Sequence, residues 1–423
     1  MSANHFSQNG ISKRHANYVL FLLCLAYFFD YSDRLVISSL LPFIKAEWVV
    51  SDFQLGLLSS IVNLFIAFFV IPMSILVDRW SRRKMVSLMI LFWSVVTIAC
   101  SFIKNFDQLM IARALTGIGE AAYAPAAVAI IAAAFPSDKR GKYTGIWELF
   151  APLGAGVGIA IGGIIGTKMG WRHSFGFVAL PGLLVALLFW FTKDYKTVPL
   201  FSGSISSGKA FASSIKGLFK IKTIWLIYAA FSCNLAINNV ILKWAPSYFN
   251  RFFDIDKETA GLISGGIAIL ALIGAPFGGL IADRWKRATN NGRLFLCATT
   301  CAIATISLFL AFNMNSFNSM MIFLTIFGIT TVGFLAPASA SVQDVVHPGV
   351  RALAFGINVC FINLAAFIVP TLVGKLSDMM GLKSALLTVP LLGVLGTILF
   401  ILSAKAYKKD IKRVEKVELE FEG

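Results

Sequence analysis

The sequence predicts an all-α membrane protein, with twelve transmembrane helices arranged as two pseudo-symmetric six-helix bundles. Three observations predict it. Of the 423 residues, 57% are hydrophobic and only 14% are charged, where soluble domains carry roughly 25% charged residues. Apolar runs of about 20 residues, the length that crosses a bilayer, follow one another along nearly the whole chain. The chain also repeats itself at a spacing of 205 residues.

The runs fall near 17–43, 53–77, 85–104, 107–134, 143–168 and 173–192, then 222–250, 258–282, 293–312, 316–344, 351–376 and 382–405. The one long polar break, 193–221, contains SGSISSGK and divides them six and six. The expected organisation is therefore an N-terminal bundle (1–192), a linker (193–221), a C-terminal bundle (222–405) and a tail (406–423). The segment MSANHFSQNGISKRHAN is polar and the run after it is long enough to span, so the first helix is read as its own insertion signal.

Lysine and arginine set the orientation. With the N-terminus inside, the inner loops and tail hold 26 of the 37 and the outer loops 8. Both termini, the linker and the tail are thus expected in the cytoplasm of a multi-pass cell-membrane protein. The net charge of +16 is a topology signal, and no nucleic-acid partner is implied. The six cysteines (Cys24, Cys100, Cys233, Cys297, Cys301, Cys360) all lie in apolar runs without CxxC spacing and read as small buried hydrophobes. The four histidines (His5, His15, His173, His347) sit in the N-terminal tail or near segment ends. No metal site or cofactor is expected, and an enzyme is not.

The repeat is explicit. SILVDRWSRRK (74–84) matches GLIADRWKRA (279–288), and LGLLSS (55–60) matches AGLISG (260–265), both 205 residues apart. A finer echo pairs GIIGTKMG (163–170) with GKLSDMMG (374–381), after the fifth and eleventh spans, so each half reads as two three-helix units. Internal repeats with a site near the midplane are how secondary transporters are built.

Three cations remain inside the spans: Arg34, Arg113 and Lys243. A charge at mid-bilayer costs roughly 2.5–3.5 kcal/mol on insertion scales, so such residues mark functional sites by default. Arg113 and Glu120 are two helical turns apart on one stripe, spaced by Gly117 and Gly119, which leave room for a ligand or for a neighbouring helix. Asp33 and Arg34 lie in the outer half of the first span, with Asp30 one turn before them. Adding 205 to the pair Asp33–Arg34 lands on Asn238 and Asn239, so the second half answers the charged pair with a neutral one. Six prolines (Pro125, Pro152, Pro246, Pro276, Pro337, Pro370) fall inside spans and permit bends.

The loop S-x-x-x-D-R-x-S-R-R at 74–83 resembles the signature loop of the major facilitator superfamily, with Ser74 where that signature has glycine; the second copy keeps Gly279. More narrowly, DRLVISSLLP (33–42), RALTGIGEAAYAPAA (113–127), GWRHSF (170–175), PGLL (181–184) and WAPSYFNR (244–251) resemble the Spinster family. The first two also resemble the anion:cation symporter family of organic-acid transporters. Asp30 stands where both families commonly show asparagine.

The resemblance implies a proton-coupled secondary transporter that works by alternating access and moves an amphipathic or lysolipid-type anion; small organic acids such as sugar acids are the alternative. It puts the first and fourth spans at the central cavity, where Asp33 and Arg113 meet and Glu120 sits alone about 10 Å deeper. Burial favours the neutral carboxyl and a nearby guanidinium the ionised one, and a group pulled both ways can switch a proton. Asp33 and Glu120 are therefore the expected proton-coupling residues. Arg34, Arg113, Asn238, Asn239 and Lys243 are the expected substrate-binding residues, and Asp78, Arg82, Arg83 and Asp283 the expected gating residues of the signature loops. The expected partners are protons, an anionic small-molecule or lipid substrate and membrane lipids. A monomer is expected, and symport and antiport stay open.

Overall fold

In a computed structural model, residues 12–136, 139–193, 218, 220–289, 291–346 and 351–421 are described. Most of the 193–221 linker and His5 and His347 lie outside them, as do the side chains of Asp78, Arg79, residues 351–353 and the tail beyond 411. Among the described residues there are helices and no strands. The helices are α1 (Lys13–Trp48), α2 (Asp52–Arg79), α3 (Arg82–Ala99), α4 (Phe106–Glu120), α5 (Tyr123–Ala134), α6 (Arg140–Glu148), α7 (Phe150–Lys168) and α8 (Trp171–Trp190). They continue as α9 (Lys222–Phe253), α10 (Lys257–Ile269), α11 (Ala271–Ala288), α12 (Gly292–Asn313), α13 (Phe317–Thr330), α14 (Leu335–Asp344), α15 (Arg351–Met380), α16 (Leu382–Thr388) and α17 (Pro390–Phe421).

Several single apolar runs of the sequence are two helices in line, and proline accounts for the breaks. A proline ring clashes with the carbonyl four residues earlier and offers no N–H to it. For Pro125 that residue is Ala121, in the break between α4 and α5; for Pro152 it is Glu148, the last residue of α6; for Pro337 it is Gly333, between α13 and α14. The break after α4 makes Glu120 the last residue of its helix.

Counting in-line pairs as one, eleven helices among the described residues are long and apolar enough to cross a membrane. The long helix outside that set is α1, and its charged residues explain why: Asp30, Asp33 and Arg34 lie in its middle and depress its apolarity. The echo at 163–170 and 374–381 also has a structural cause. Both copies end in a glycine with positive φ, Gly170 at 93° and Gly381 at 84°, each capping the start of the next helix in a turn that other L-residues resist.

The chain forms two compact units. Unit 1 is Met1–Pro199 with Leu242–Ile269, and unit 2 is Leu200–Ile241 with Leu270–Gly423. The end of α9 and all of α10 thus pack with the first-half helices.

In unit 1, α7 lies against α1: Gly154 and Gly158 put their backbones on those of Phe28 and Ser32, where a Cβ would collide. Ser32 Oγ donates to the Gly154 carbonyl at 2.9 Å, sealing the seam. Glycines likewise let α7 meet α10, Gly156 against Gly265 and Gly163 against Gly261. A core of α1, α3, α5 and α8 residues, including Leu22, Leu23, Ile90, Trp93, Tyr123, Ile130 and Phe189, fills the unit below the charged turn of α1.

In unit 2, the core runs from Ile224, Ile227 and Tyr228 of α9 to Cys297, Phe334, Ala338 and Phe400. The middle of α17 is tied down there. Asn291 Nδ2 donates to the Ala404 carbonyl at 2.6 Å, and the Asp410 carboxylate accepts from Thr223 N (3.0 Å) and Thr223 Oγ1 (2.8 Å). Asp410 thereby satisfies an N–H at the start of α9 that has no partner within its own helix.

Candidate functional site

The charged turn of α1 faces α4, and the two helices build two ion-pair groups. In the first, Arg113 Nη1 donates to Asp33 Oδ1 at 2.6 Å and Nη2 to the Asp33 backbone carbonyl at 3.1 Å. Thr97 Oγ1, from α3, donates to Asp33 Oδ2 at 2.7 Å. Both carboxylate oxygens are therefore bonded. Arg113 is fully buried with its guanidinium near the Phe175 ring at 5.9 Å, and Asp33 is 2% exposed.

In the second group, Arg34 Nε and Nη2 donate to Asp30 Oδ1 at 3.2 and 2.9 Å. The same Nε lies 2.7 Å from Glu120 Oε2. That approach is an ion pair without hydrogen-bond geometry, while the Nε hydrogen bond goes to Asp30. Glu120 Oε1, Glu120 Oε2 and Asp30 Oδ2 receive no hydrogen bond at all. Both carboxyls are buried, while 16% of the Arg34 side chain is exposed. The Tyr31 ring lies 5.2 Å beneath the guanidinium, and Tyr27 stacks on Trp147 at 4.0 Å beside it.

The structure thus brings Asp33 to Arg113, and it corrects the expected isolation of Glu120, which shares Arg34 with Asp30. Of the two readings of the α4 glycines, room for a ligand or for a neighbouring helix, it selects the second. Gly117 backs onto Val62 and Phe65 of α2, and Gly119 onto Phe92 and Trp93 of α3, so both serve helix approach. Lys243 is buried in unit 1 within electrostatic range of Arg34 and Arg113. Asn238 and Asn239 belong to unit 2, where both are partly buried and Asn239 Nδ2 donates back to the Leu235 carbonyl at 2.9 Å.

Of the signature-loop residues, Asp78 lies outside the described side chains, and Arg82 is buried. Arg83 Nη1 donates to the Thr192 carbonyl at 2.8 Å, capping the end of α8. In the second copy, Arg293 Nη2 donates to Asp283 at 2.8 Å, and its Nη1 to Asp344 at 3.2 Å. Lys286 (3.0 Å) and the Tyr407 hydroxyl (2.8 Å) donate to the same Asp344.

Sequence reading missed Thr97, Asp52 and Glu47. Thr97 is one of two hydroxyls, with Ser94, in the apolar run LFWSVVTIAC, and its partner is 64 residues away. Asp52 is buried at the start of α2, where Lys45 and a two-pronged Arg251 (2.7 and 2.8 Å) donate to it. Arg251 closes the WAPSYFNR stretch, so this clasp is what that motif builds here. Glu47 performs the same office for GWRHSF, accepting from Trp171 Nε1 at 2.7 Å and from both Arg172 Nη atoms at 3.0 and 2.7 Å. The tyrosine of GEAAYAPAA, Tyr123, donates its hydroxyl to the Leu23 carbonyl and locks α5 to α1.

Long apolar helices, an internal repeat and buried ion pairs on the first and fourth spans define a multi-span membrane carrier. The pattern of the Major Facilitator Superfamily matches residues 23–370 and, in a second match, 291–422, and the chain belongs to this superfamily. It is 26% identical to protein spinster homolog 1 of Xenopus laevis, covering 96% of this chain and 84% of that one. It is 27% identical to a hexuronate transporter of Bacillus subtilis, covering 86% and 88%. Its fold matches the crystal structure of a bacterial homolog of the human lysosomal transporter Spinster, in an inward-facing unoccupied conformation. That match has a TM-score of 0.81 and 21% identity over 94% of this chain and 99% of the other. The named relatives are transporters and not enzymes.

Proposed function

We propose that the protein is a proton-coupled secondary transporter that moves an anionic substrate by alternating access. The observation that carries this reading is the Asp30–Arg34–Glu120 group: a guanidinium, partly open, with two buried carboxyls of whose four oxygens three are left without donors. A structural ion pair has its acceptors filled, as Asp33 has. A site that must take up and release a proton and meet an anion needs acceptors that are not. Arg34 is the cation an anionic group would reach, Glu120 carries the proton, and Lys243 adds positive potential. Asn238 and Asn239 are the neutral substrate-binding residues of this reading.

The substrate we favour is an amphipathic, lysolipid-type anion, in keeping with the resemblance to Spinster proteins. The second reading, a sugar acid, is favoured by the likeness to a hexuronate transporter. The protein works in this reading as a twelve-span, two-bundle monomer of the cell membrane with both termini in the cytoplasm. Asp78, Arg82, Arg83 and Asp283 then act at the cytoplasmic mouth. The Asp52–Arg251 clasp and the α7–α10 glycine seam part when the site faces outward.

Flux into proteoliposomes, with and without an imposed pH step, tests the whole reading across a panel of lysolipids and sugar acids. Transport of a lysolipid that responds to the pH step is expected. Flux of sugar acids alone moves the assignment to the second reading, and flux indifferent to the pH step removes proton coupling.

A further inference from the structure

Resting on the proton-coupling reading of this site, we propose that Asp30 and Glu120 form a carboxyl pair that holds one proton between them over Arg34, making Asp30 a proton-carrying residue of the transporter. Three observations lead there. First, both acids converge on one guanidinium, and Asp30 Oδ1 and Glu120 Oε2 contend for its single Nε hydrogen, at 3.2 and 2.7 Å. Second, the two carboxyl groups stand within side-chain hydrogen-bonding reach of each other, yet Asp30 Oδ2 and both Glu120 oxygens have no donor. Two ionised carboxylates cannot satisfy each other, since both only accept. Third, both are buried, where an unpaired charge and an unfilled acceptor are each costly.

One proton resolves all three. Taken from water when the site is open, it becomes the O–H of one carboxyl and is donated to an oxygen of the other. The pair then carries a single negative charge against the single positive charge of Arg34. Which of the two oxygens bears the hydrogen is a property of the pair and not of either residue.

Among the described residues, the other titratable or charged groups around the triad are Tyr27, Tyr31 and Asp33 on α1, Arg113 on α4, Tyr123 on α5, Glu148 at the end of α6 and Lys243 on α9. Asp33 and Arg113 already match one another. Lys243 is the group that could balance the second carboxylate in place of a proton, and the test separates the two cases.

The experiment is infrared spectroscopy of the purified full-length protein in dodecyl maltoside, which has no ester carbonyl to mask the signal. The carbonyl stretch of a protonated carboxyl is identified by its shift in deuterium oxide. The parent is expected to show this band at neutral pH. Asp30→Asn and Glu120→Gln are each expected to abolish it, because one remaining carboxylate balances Arg34. Asp33→Asn is expected to leave it.

No band in the parent, the result if Lys243 supplies the balance, overturns the proposal. So does a band that survives in both Asp30→Asn and Glu120→Gln, which would belong to Glu148 or another acid. A band lost in only one of the two variants assigns the proton to that residue alone and overturns the sharing; should Asp30→Asn fail to fold, Asp30→Ser takes its place. Flux driven by a pH step, after reconstitution of the same proteins into proteoliposomes, keeps the two ideas apart. A parent with the band but without proton-driven flux retains the shared proton and loses the coupling reading.

Discussion

Asp30 and Asp33 sit one turn apart on the same helix, each opposite an arginine, and they end in opposite condition. Asp33 has both oxygens filled by Arg113 and Thr97, with a further bond from Arg113 to its own backbone. Asp30 shares Arg34 with Glu120, and three of the four carboxylate oxygens in that group lack a donor. The difference is one of bookkeeping around each carboxylate: a full set of donors makes a clasp between helices, and a short set makes a place for a proton or a ligand. On the proposed reading, Asp33 and Arg113 join α1 to α4, and the work of coupling falls to the neighbours one turn away.

The largest effect follows for the clasp. Arg113→Ala leaves Asp33 buried with one partner hydroxyl, and breaking a buried pair from one side costs about 3–5 kcal/mol. A marked fall in melting temperature and in yield of monodisperse protein is expected, with substantial recovery in the double variant Asp33→Asn/Arg113→Gln, where no unpaired charge remains. If Arg113→Ala melts with the parent and only loses affinity for an anionic substrate, Arg113 is a binding residue and the contrast between the two groups collapses.

The next effect is on function with little on stability. Glu120→Gln removes the charge without emptying the space, and Glu120 contributes no accepted hydrogen bond to lose. Its melting temperature should stay near that of the parent, while flux driven by a pH step falls by about 5–150-fold, the usual span of a coupling free energy between two ligands. Substrate exchange without a pH gradient should persist. A variant whose response to the pH step equals that of the parent would mean that the open acceptors have no role in coupling.

Much of this was legible in the sequence. The apolar runs, the 205-residue repeat and the lysine–arginine bias all follow from local composition, and the bilayer imposes them strongly. Arg34, Arg113, Asp33 and Glu120 could be singled out because a charge in a span is costly. What could not be read was which charge meets which. Thr97 decides the fate of Asp33 from 64 residues away, and nothing in LFWSVVTIAC distinguishes its hydroxyl from that of Ser94. Asp30 was visible as an extra acid and as a partner of Arg34 at i,i+4, but its nearness to Glu120 depends on how α4 ends. That end is set by Pro125, five residues on. The glycines of α4 kept two readings for a related reason: small residues open a cavity or close a helix seam, and only the identity of the neighbour tells which.

A third ion group tests whether position along the helix matters as much as donor count. Asp52 is buried and filled, by Lys45 and the fork of Arg251, yet it lies at the start of α2, and the Lys45 side chain is 38% exposed. Asp52→Asn should therefore cost less than Arg113→Ala, about 1–3 kcal/mol for a charge-assisted bond to a buried acceptor. A melting-temperature cycle with Arg251→Gln isolates the pair. A loss as large as that of Arg113→Ala would show that a filled acceptor counts equally at the end and in the middle of the span.

The smallest effect belongs to Glu47, which is as well supplied with donors as Asp33 but is 41% exposed. Its carboxyl is held below its ordinary value, chiefly by the hydrogen bonds from Arg172; burial opposes them, and the bond from Trp171 Nε1 and the Arg172 charge add smaller lowering effects. A carboxyl lowered in the folded state adds stability above its unfolded value of about 4.3, and that contribution is lost as pH falls through the folded value. Water screens the pair, so its worth is about 0.2–1 kcal/mol, even with the guanidinium stacked between Trp171 (4.4 Å) and Trp48 (5.4 Å). Glu47→Gln should lower the melting temperature slightly at neutral pH, and the gap to the parent should close as the solution is acidified below the carboxylate range. High salt should narrow it as well. A gap that matched Arg113→Ala and ignored both acid and salt would mean that donor count alone sets the strength of these pairs, and that burial, on which the distinction between Asp33 and the outer ion pairs rests, contributes nothing.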